Sequence, residues 1–328
     1  MTSVLEDASI LITGGTGSFG RAILDVLLTE HAPRRVVIFS RDELKQYEMR
    51  QKWGDDERVR FFLGDIRDLD RLTLALHGVD IVIHAAALKQ VDTAEYNPME
   101  YVKTNILGSE NVIQAAMAAG VRKVIALSTD KASSPVNLYG ATKLTADKLF
   151  ISSNHYAASF GTACSVVRYG NVMGSRGSVI PFFRKLAEAG EPLPITDRRM
   201  TRFWITLPQA VDFVLTCLED MQGGELYVPR IPSMRVVDLA EAVAPGAQTI
   251  DVGIRPGEKL HEEMISSEDS RRTLLQDGRY VVLPTLARWG FQDPAGTPVA
   301  DGFSYTSESN DLWLDAAQLR SLLGDLDD

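Results

Sequence analysis

Tyr139-Gly140-Ala141-Thr142-Lys143 spaces a phenol and an ammonium at i and i+4. On a helix those positions share a face, so the two groups sit side by side. The ammonium favours the phenolate, which would lower the Tyr139 pKa and make it a usable general base. The same spacing arises by chance on many helices, so its setting decides. Here it lies shortly after a β-rich run, residues 123–128 (KVIALS), that leads into Thr129-Asp130-Lys131.

A second constellation stands near the start, Thr13-Gly14-Gly15-Thr16-Gly17-Ser18-Phe19-Gly20. Gly14, Gly17 and Gly20 form G-x-x-G-x-x-G directly after the apolar run 9–13 and before a helical pattern over 20–28. Such a turn lets the backbone approach a pyrophosphate, which then meets the N-terminal end of the following helix. The strand before and the helix after are the context that makes the pattern informative. About twenty residues further on, a site for NAD usually carries an acid bonded to the ribose diol. This chain has Ser40 and Arg41 there, with Lys45 one turn later. A hydroxyl and a guanidinium suit a 2′-phosphate better than a diol, which predicts NADP. Asp42 is better explained as a helix N-cap than as a ribose ligand. Asp65-Ile66 follows a third apolar run and could meet the adenine amine. The small residues Ala85-Ala86-Ala87 follow a fourth and allow close approach of the cofactor.

These residues need a scaffold, and the patterning supplies one. Residues 9–13, 35–39, 59–63, 81–85, 123–128 and 165–169 are short β-branched runs separated by helical stretches, including residues 43–53 and 99–119. Continuous apolar strands alternating with helices indicate a parallel sheet covered on both faces. The carboxyl ends of its strands would face the cofactor crevice, bringing Leu127, Ser128 and the run Tyr169-Gly170-Asn171-Val172 past the nicotinamide. After about residue 170, Gly and Pro become frequent and the helices short, over 179–189, 209–221, 237–243 and 315–323. The expected fold class is α/β, a Rossmann doubly wound parallel sheet with a smaller C-terminal substrate-binding α/β domain. The expected division is residues 1–170 for the dinucleotide and 171–328 mainly for substrate, with some later segments returning to the first domain.

Composition sets outer bounds. The chain has 328 residues, 45% hydrophobic and 24% charged, which is ordinary globular composition and large enough for a core without staples. Acidic residues outnumber basic ones by 44 to 34, for a formal charge of −10. That argues against nucleic acid or an anionic membrane as partner, but not against a small anion held by local positive charge. Cys164 and Cys217 are the only cysteines. They cannot build a disulfide framework or a metal cage, and fit best as small buried groups in a reducing cytoplasm. No signal-peptide pattern opens the chain, and no apolar run approaches the length of a membrane helix. A soluble, cytoplasmic protein with no metal is the expectation.

With these residues in view, the chain resembles the extended short-chain dehydrogenase/reductase superfamily along essentially its whole length. The segments Ser128-Thr129-Asp130-Lys131-Ala132, Met200-Thr201-Arg202-Phe203-Trp204 and Arg255-Pro256-Gly257-Glu258-Lys259-Leu260-His261-Glu262 narrow the match. So do SRDELKQYEM, AALKQVDTAEYNP and VPRIPSMRVVDLA. Together they look like the inverting UDP-N-acetylglucosamine 4,6-dehydratases of pseudaminic acid biosynthesis. The resemblance implies Tyr139 as base on the sugar 4-hydroxyl, Lys143 on the nicotinamide ribose, and Ser128 or Thr129 near the substrate hydroxyl. It implies hydride transfer from C4 to NADP⁺. Neutral Lys131 would then remove the C5 proton, and protonated Asp130 would protonate the departing 6-hydroxyl. Hydride return to C6 and reprotonation of C5 from the opposite face would complete an inverting dehydration. These roles need a depressed Lys131 pKa and a raised Asp130 pKa, which burial could supply.

The implied substrate, UDP-N-acetylglucosamine, carries a diphosphate, so Arg176, Arg202 and Arg255 are candidates to hold it. The resemblance also points to Glu258 at the nucleotide ribose, to Asn171 at phosphate or sugar, and to Lys89, Val179 and Thr196 at matching positions. Asn310 in the tail is a further candidate. His84 and His261 are expected to be structural. A homo-oligomer is implied. The alternatives are a related enzyme that epimerises C4, or C3 and C5, and a non-catalytic NADP-sensing protein on the same fold.

Overall fold

The computed structural model describes residues 3–174 and 179–324. The apolar runs are strands: β1 (Ser9–Thr13), β2 (Arg35–Ser40), β3 (Val59–Leu63), β4 (Ile81–His84), β5 (Lys123–Thr129) and β6 (Ala163–Tyr169). Every residue of β1 and β4 is buried, and all of β2 but its first, because helices cover both faces of a parallel sheet. Those helices are α1 (Ser18–Thr29), α2 (Glu43–Trp53), α3 (Leu69–Ala75), α4 (Val91–Tyr96), α5 (Pro98–Tyr101), α6 (Gly108–Ala119) and α7 (Leu138–Ala157). The strands lie parallel in the order β3-β2-β1-β4-β5-β6. The order reverses between β1 and β4, which opens a crevice at their carboxyl ends. This is the expected Rossmann arrangement.

The sheet continues with later chain. Leu226–Pro229 joins β6 in parallel, Leu226 opposite Val166. Arg279–Val282, Thr273–Gln276 and Thr297–Pro298 then extend the edge antiparallel. The remaining strands form small sheets beyond the carboxyl edge. Thr201–Ile205 lies between Asn171–Val172 and Ser233–Arg235, and Leu193–Ile195 pairs with Thr249–Asp251. Helices Val179–Glu188, Leu207–Asp220, Val236–Val243 and Ala316–Gly324 fall within a few residues of their predicted positions. Met173, Trp204, Met234, Leu239 and Leu319 form a core separate from the large one under the main sheet. Among the described residues no helix is long and apolar enough to cross a membrane.

One element departs from expectation. The pattern over 99–119 predicts a continuous helix, but α5 and α6 are separated by a π-helical segment, Val102–Leu107. The wider turn faces Asn105 inward, where its amide accepts from Leu88 N at 2.8 Å and donates to Leu88 O at 2.9 Å and Thr142 Oγ1 at 3.1 Å. The segment thereby pins the loop after β4 against α7. Insertions of this kind recur where a helix borders a functional site.

Candidate active site

At the end of β1 the chain turns through Gly14, whose φ of +64° lies in the left-handed region. A side chain there would also collide with the Ala86 backbone, its Cβ 2.8 Å from Ala86 Cα. Gly17 caps α1, and a Cβ on Gly20 would overlap the Gly15 backbone. The turn is thus packed against the loop after β4 while the amides at the start of α1 face the crevice. That geometry suits a pyrophosphate.

A chamber of about 690 Å³ opens from this turn. Its walls include Gly14, Thr16, Gly17, Ser18, Phe19, Gly20, Ser40, Arg41, Asp42, Lys45, Asp65, Ile66, Ala86 and Lys89. Leu127, Ser128, Tyr139, Lys143, Tyr169, Gly170 and Val172 line its far end. Every residue that the sequence nominates for the cofactor therefore borders one space. Ser40 Oγ bonds Thr16 Oγ1 at 2.8 Å, joining the second strand to the glycine turn. Arg41 Nη1 lies 3.5 Å from Asp65 Oδ2, and Arg67 grips the same carboxylate at 2.7 Å. Burial would raise the Asp65 carboxyl, but the Arg67 hydrogen bonds and the Arg41 charge outweigh it and hold it below the usual range. Asp42 is the N-cap of α2, accepting from Lys45 N at 2.9 Å, and its carboxylate also pairs with Lys45 Nζ at 2.6 Å. Burial lowers the Lys89 pKa.

Tyr139 and Lys143 sit on one face of α7 as the i, i+4 spacing requires, both buried. Asn137 caps the helix, accepting from Gly140 N at 2.7 Å. Gly140 lets α7 rest on the turn Asp130–Ala132, since a Cβ there would overlap the Lys131 carbonyl. Lys143 Nζ donates to Leu127 O at 2.7 Å. The expected lowering of the Tyr139 pKa is not found. Burial pushes the phenol up to about 12, with the Lys131 charge and the Thr129 hydroxyl pulling the other way. Burial also lowers the Lys143 pKa, against the charge of Asp147.

Thr129 Oγ1 donates to Asp130 Oδ1 at 2.9 Å, whereas Ser128 Oγ turns away to the buried Asp147 at 2.9 Å. Arg168 holds the same Asp147 oxygen at 3.0 Å. Asp130 is 1% exposed, and burial together with the nearby Glu262 charge holds its carboxyl above the ordinary range, Lys131 opposing. This matches the raised pKa expected. Lys131 does the opposite of its expectation. Its Nζ lies 3.1 Å from Asp130 Oδ1 and 3.2 Å from Glu262 Oε1. Burial works against the ammonium, but the two carboxylates outweigh it and raise the Lys131 pKa.

A second chamber of about 670 Å³ meets the first at Lys131 and Asn171, which line both. Val179, Thr196, Arg202, Arg255 and Glu258 border it, as do Trp204, Asn137, Lys259 and Glu262. Asn171 Oδ1 is buried without a hydrogen-bond partner among the described residues. Arg255 is about half exposed and sits 4.0 Å from Glu258. Arg202 is engaged differently from expectation. Its guanidinium donates to the carbonyls of Thr201, Leu260 and Lys259 and lies 3.7 Å from Glu262, so it braces the chamber wall.

One nomination falls elsewhere, and one is not among the described residues. Asn310 borders neither chamber; its amide donates to Ile231 O at 2.8 Å and Ser233 Oγ at 2.9 Å, tying the tail down. Arg176 lies outside the described residues. His84 is fully buried between Thr13 and Ser109, its pKa lowered to about 3 by burial and by Lys143, and serves the fold as expected. Sequence reasoning missed Glu262. It stands in a quoted motif, yet nothing in the spacing says whether Glu262 or its neighbour Glu263 turns inward.

Known proteins resemble this chain along most of its length. The model of the polysaccharide biosynthesis protein family matches residues 10–284. The UDP-N-acetylglucosamine 4,6-dehydratase (inverting) of Campylobacter jejuni is 52% identical over 96% of this chain and 97% of its own. A UDP-glucose 4-epimerase from Rickettsia prowazekii is 44% identical over 80% of this chain and 79% of its own. Among solved structures, Pen from Bacillus thuringiensis superposes with a TM-score of 0.91 at 36% identity, covering 99% of both chains. DesIV, the dTDP-glucose 4,6-dehydratase of Streptomyces venezuelae with NAD bound, gives 0.69 at 25% identity over 77% of this chain and 86% of its own.

Proposed function

This chain belongs to the polysaccharide biosynthesis protein family of extended short-chain dehydrogenases/reductases, and from that premise we propose that it is an NADP-dependent, C5-inverting UDP-N-acetylglucosamine 4,6-dehydratase. The observation that carries the reading is the meeting of the two chambers at Lys131 and Asn171, with Asp130 and Tyr139 in the wall of the first. A dinucleotide in the first chamber and a sugar nucleotide in the second would bring their reacting ends to that junction. NADP, when bound, supplies the hydride acceptor for C4 and the donor for C6. Gly14, Gly17 and Gly20 leave room for its pyrophosphate, and Ser40 with Arg41 suit a 2′-phosphate. Tyr139 takes the proton of the 4-hydroxyl, and Lys143 holds the ribose side of the same pocket. The resulting 4-ketone acidifies C5. Asp130 and Lys131 then handle the protons of water loss, one taking the C5 proton and the other protonating the departing 6-hydroxyl; after hydride returns to C6, C5 is reprotonated from the opposite face, which inverts it. Arg255 and Glu258 serve the uridine diphosphate end, and Asn171 offers an unfilled acceptor to the sugar. The pseudaminic acid route, a homo-oligomer and a cytoplasmic location belong to the same reading.

The test is incubation with UDP-N-acetylglucosamine in heavy water, followed by product NMR. A 4-keto-6-deoxy product with inverted, deuterated C5 is expected. A product that keeps its 6-oxygen and inverts only C4 would establish an epimerase instead, the activity named for the Rickettsia relative.

A further inference from the structure

Glu262 is nearly fully buried, borders the second chamber, and has one oxygen on Lys131 and one without a hydrogen-bond partner among the described residues. A buried carboxylate left half-satisfied is costly unless a charge holds it there. Two cations do: Lys131 Nζ at 3.2 Å and Arg202 Nε at 3.7 Å. The surrounding segment is anchored to the same turn. Lys259 Nζ donates to Ser133 O at 2.6 Å, and Glu263 Oε1 accepts from Ser133 Oγ at 2.7 Å and Ser134 Oγ at 2.6 Å. Asn137 Nδ2 donates to Gly257 O at 2.7 Å.

Resting on the dehydratase reading, we propose that Glu262 is a positioning residue for Lys131. It fixes the lysine nitrogen at the junction of the chambers and is its standing counter-ion, so that Asp130 is released to carry a proton. The charged and titratable groups facing this cluster are Asp130 and Lys131 on their turn, Tyr139 on α7, Arg202 on its strand and Lys259 beside Glu262. Among the two carboxylates, Glu262 is held ionised by Lys131 and Arg202 despite its burial, while Asp130 is driven toward its protonated form. Removing the Glu262 charge takes an opposite charge from Lys131 and a like charge from Asp130. Both pKa values should then fall together.

The experiment compares wild type, E262Q and E262D by two measurements. One is the pH profile of kcat for UDP-N-acetylglucosamine. The other is the pH dependence of Lys131 acetylation by acetic anhydride, read by mass spectrometry in the substrate-free protein. In E262Q both profiles should move to lower pH by about one unit or more. Its kcat should fall by roughly tenfold or more, bounded by the full worth of a general acid or base, with KM changing far less. E262D keeps the charge and should keep the wild-type labelling profile with a reduced kcat. Unshifted profiles in E262Q, or an equal shift in E262D, overturn the inference. Wild type that forms no 4-keto-6-deoxy sugar while labelling still shifts in E262Q overturns the dehydratase reading and leaves the Glu262–Lys131 coupling standing.

Discussion

At the scale of single residues, the site is a competition between burial and pairing. Tyr139 illustrates one outcome, its phenol pushed up to about 12 because desolvation exceeds the help of Lys131 and Thr129. Y139F should retain cofactor binding and lose roughly a hundredfold to ten-thousandfold in kcat, as expected when a general base is removed. Tryptophan fluorescence titration with NADP and steady-state kinetics would separate the two effects. Lys131→Ala should likewise keep NADP binding and lose turnover; loss of binding would mean that Lys131 is a scaffold residue. On the proposed reading, Arg41 would carry the cofactor choice. R41A should weaken NADP by about tenfold or more and leave NAD nearly unchanged, since one charge-assisted contact to a phosphate is removed. Equal weakening of both would assign Arg41 to the Asp65 contact instead. That Tyr139, Lys143, the glycines and Arg41 border one chamber was legible in the sequence because their placement depends on spacing along single elements. Glu262 was not, because its contact with Lys131 spans the chain from one chamber wall to the other and leaves no local signature. For the same reason the Lys131 pKa was expected to fall and instead rises.

At the scale of elements, periodicity predicted the parallel strands and the short later helices well. It failed over residues 102–107, where the apolar pattern continues but the backbone widens to a π turn. The cause is tertiary: Asn105 is pulled inward by the Leu88 backbone and Thr142. His84 at the end of β4 gives this region a pH sensitivity whose sign is fixed. Its folded pKa of about 3 lies below the unfolded value of 6.5. The unfolded chain therefore binds the extra proton between those values, and stability present above pH 6.5 is lost as pH falls through that window. The thermal midpoint of wild type should drop from pH 7 to pH 5, and that of H84Q should drop less. Parallel pH slopes in the two proteins would assign the acid sensitivity to other groups.

At the scale of the molecule, later chain returns to complete earlier structure. Leu226–Pro229 extends the main sheet beside β6, and the tail closes on the large core through Tyr305, with Asn310 bonded to the same Ile231 carbonyl. Tyr305 Oη donates to Ile231 O at 2.9 Å and accepts from Ile231 N at 3.0 Å. N310A should cost about 1–3 kcal/mol, the price of leaving a buried partner unmet, while folded enzyme keeps its KM for the sugar nucleotide. A raised KM without loss of stability would return Asn310 to the substrate. The composition pointed to a soluble acidic chain, yet could not reveal how one short run, residues 255–263, spans the second chamber. It begins at half-exposed Arg255 and ends beside Lys131. The nucleotide would then be a lever rather than a tag. N-acetylglucosamine 1-phosphate, which lacks the UMP portion, should turn over slowly even at saturation if a ligand held at Arg255 helps seat Lys131 through this run.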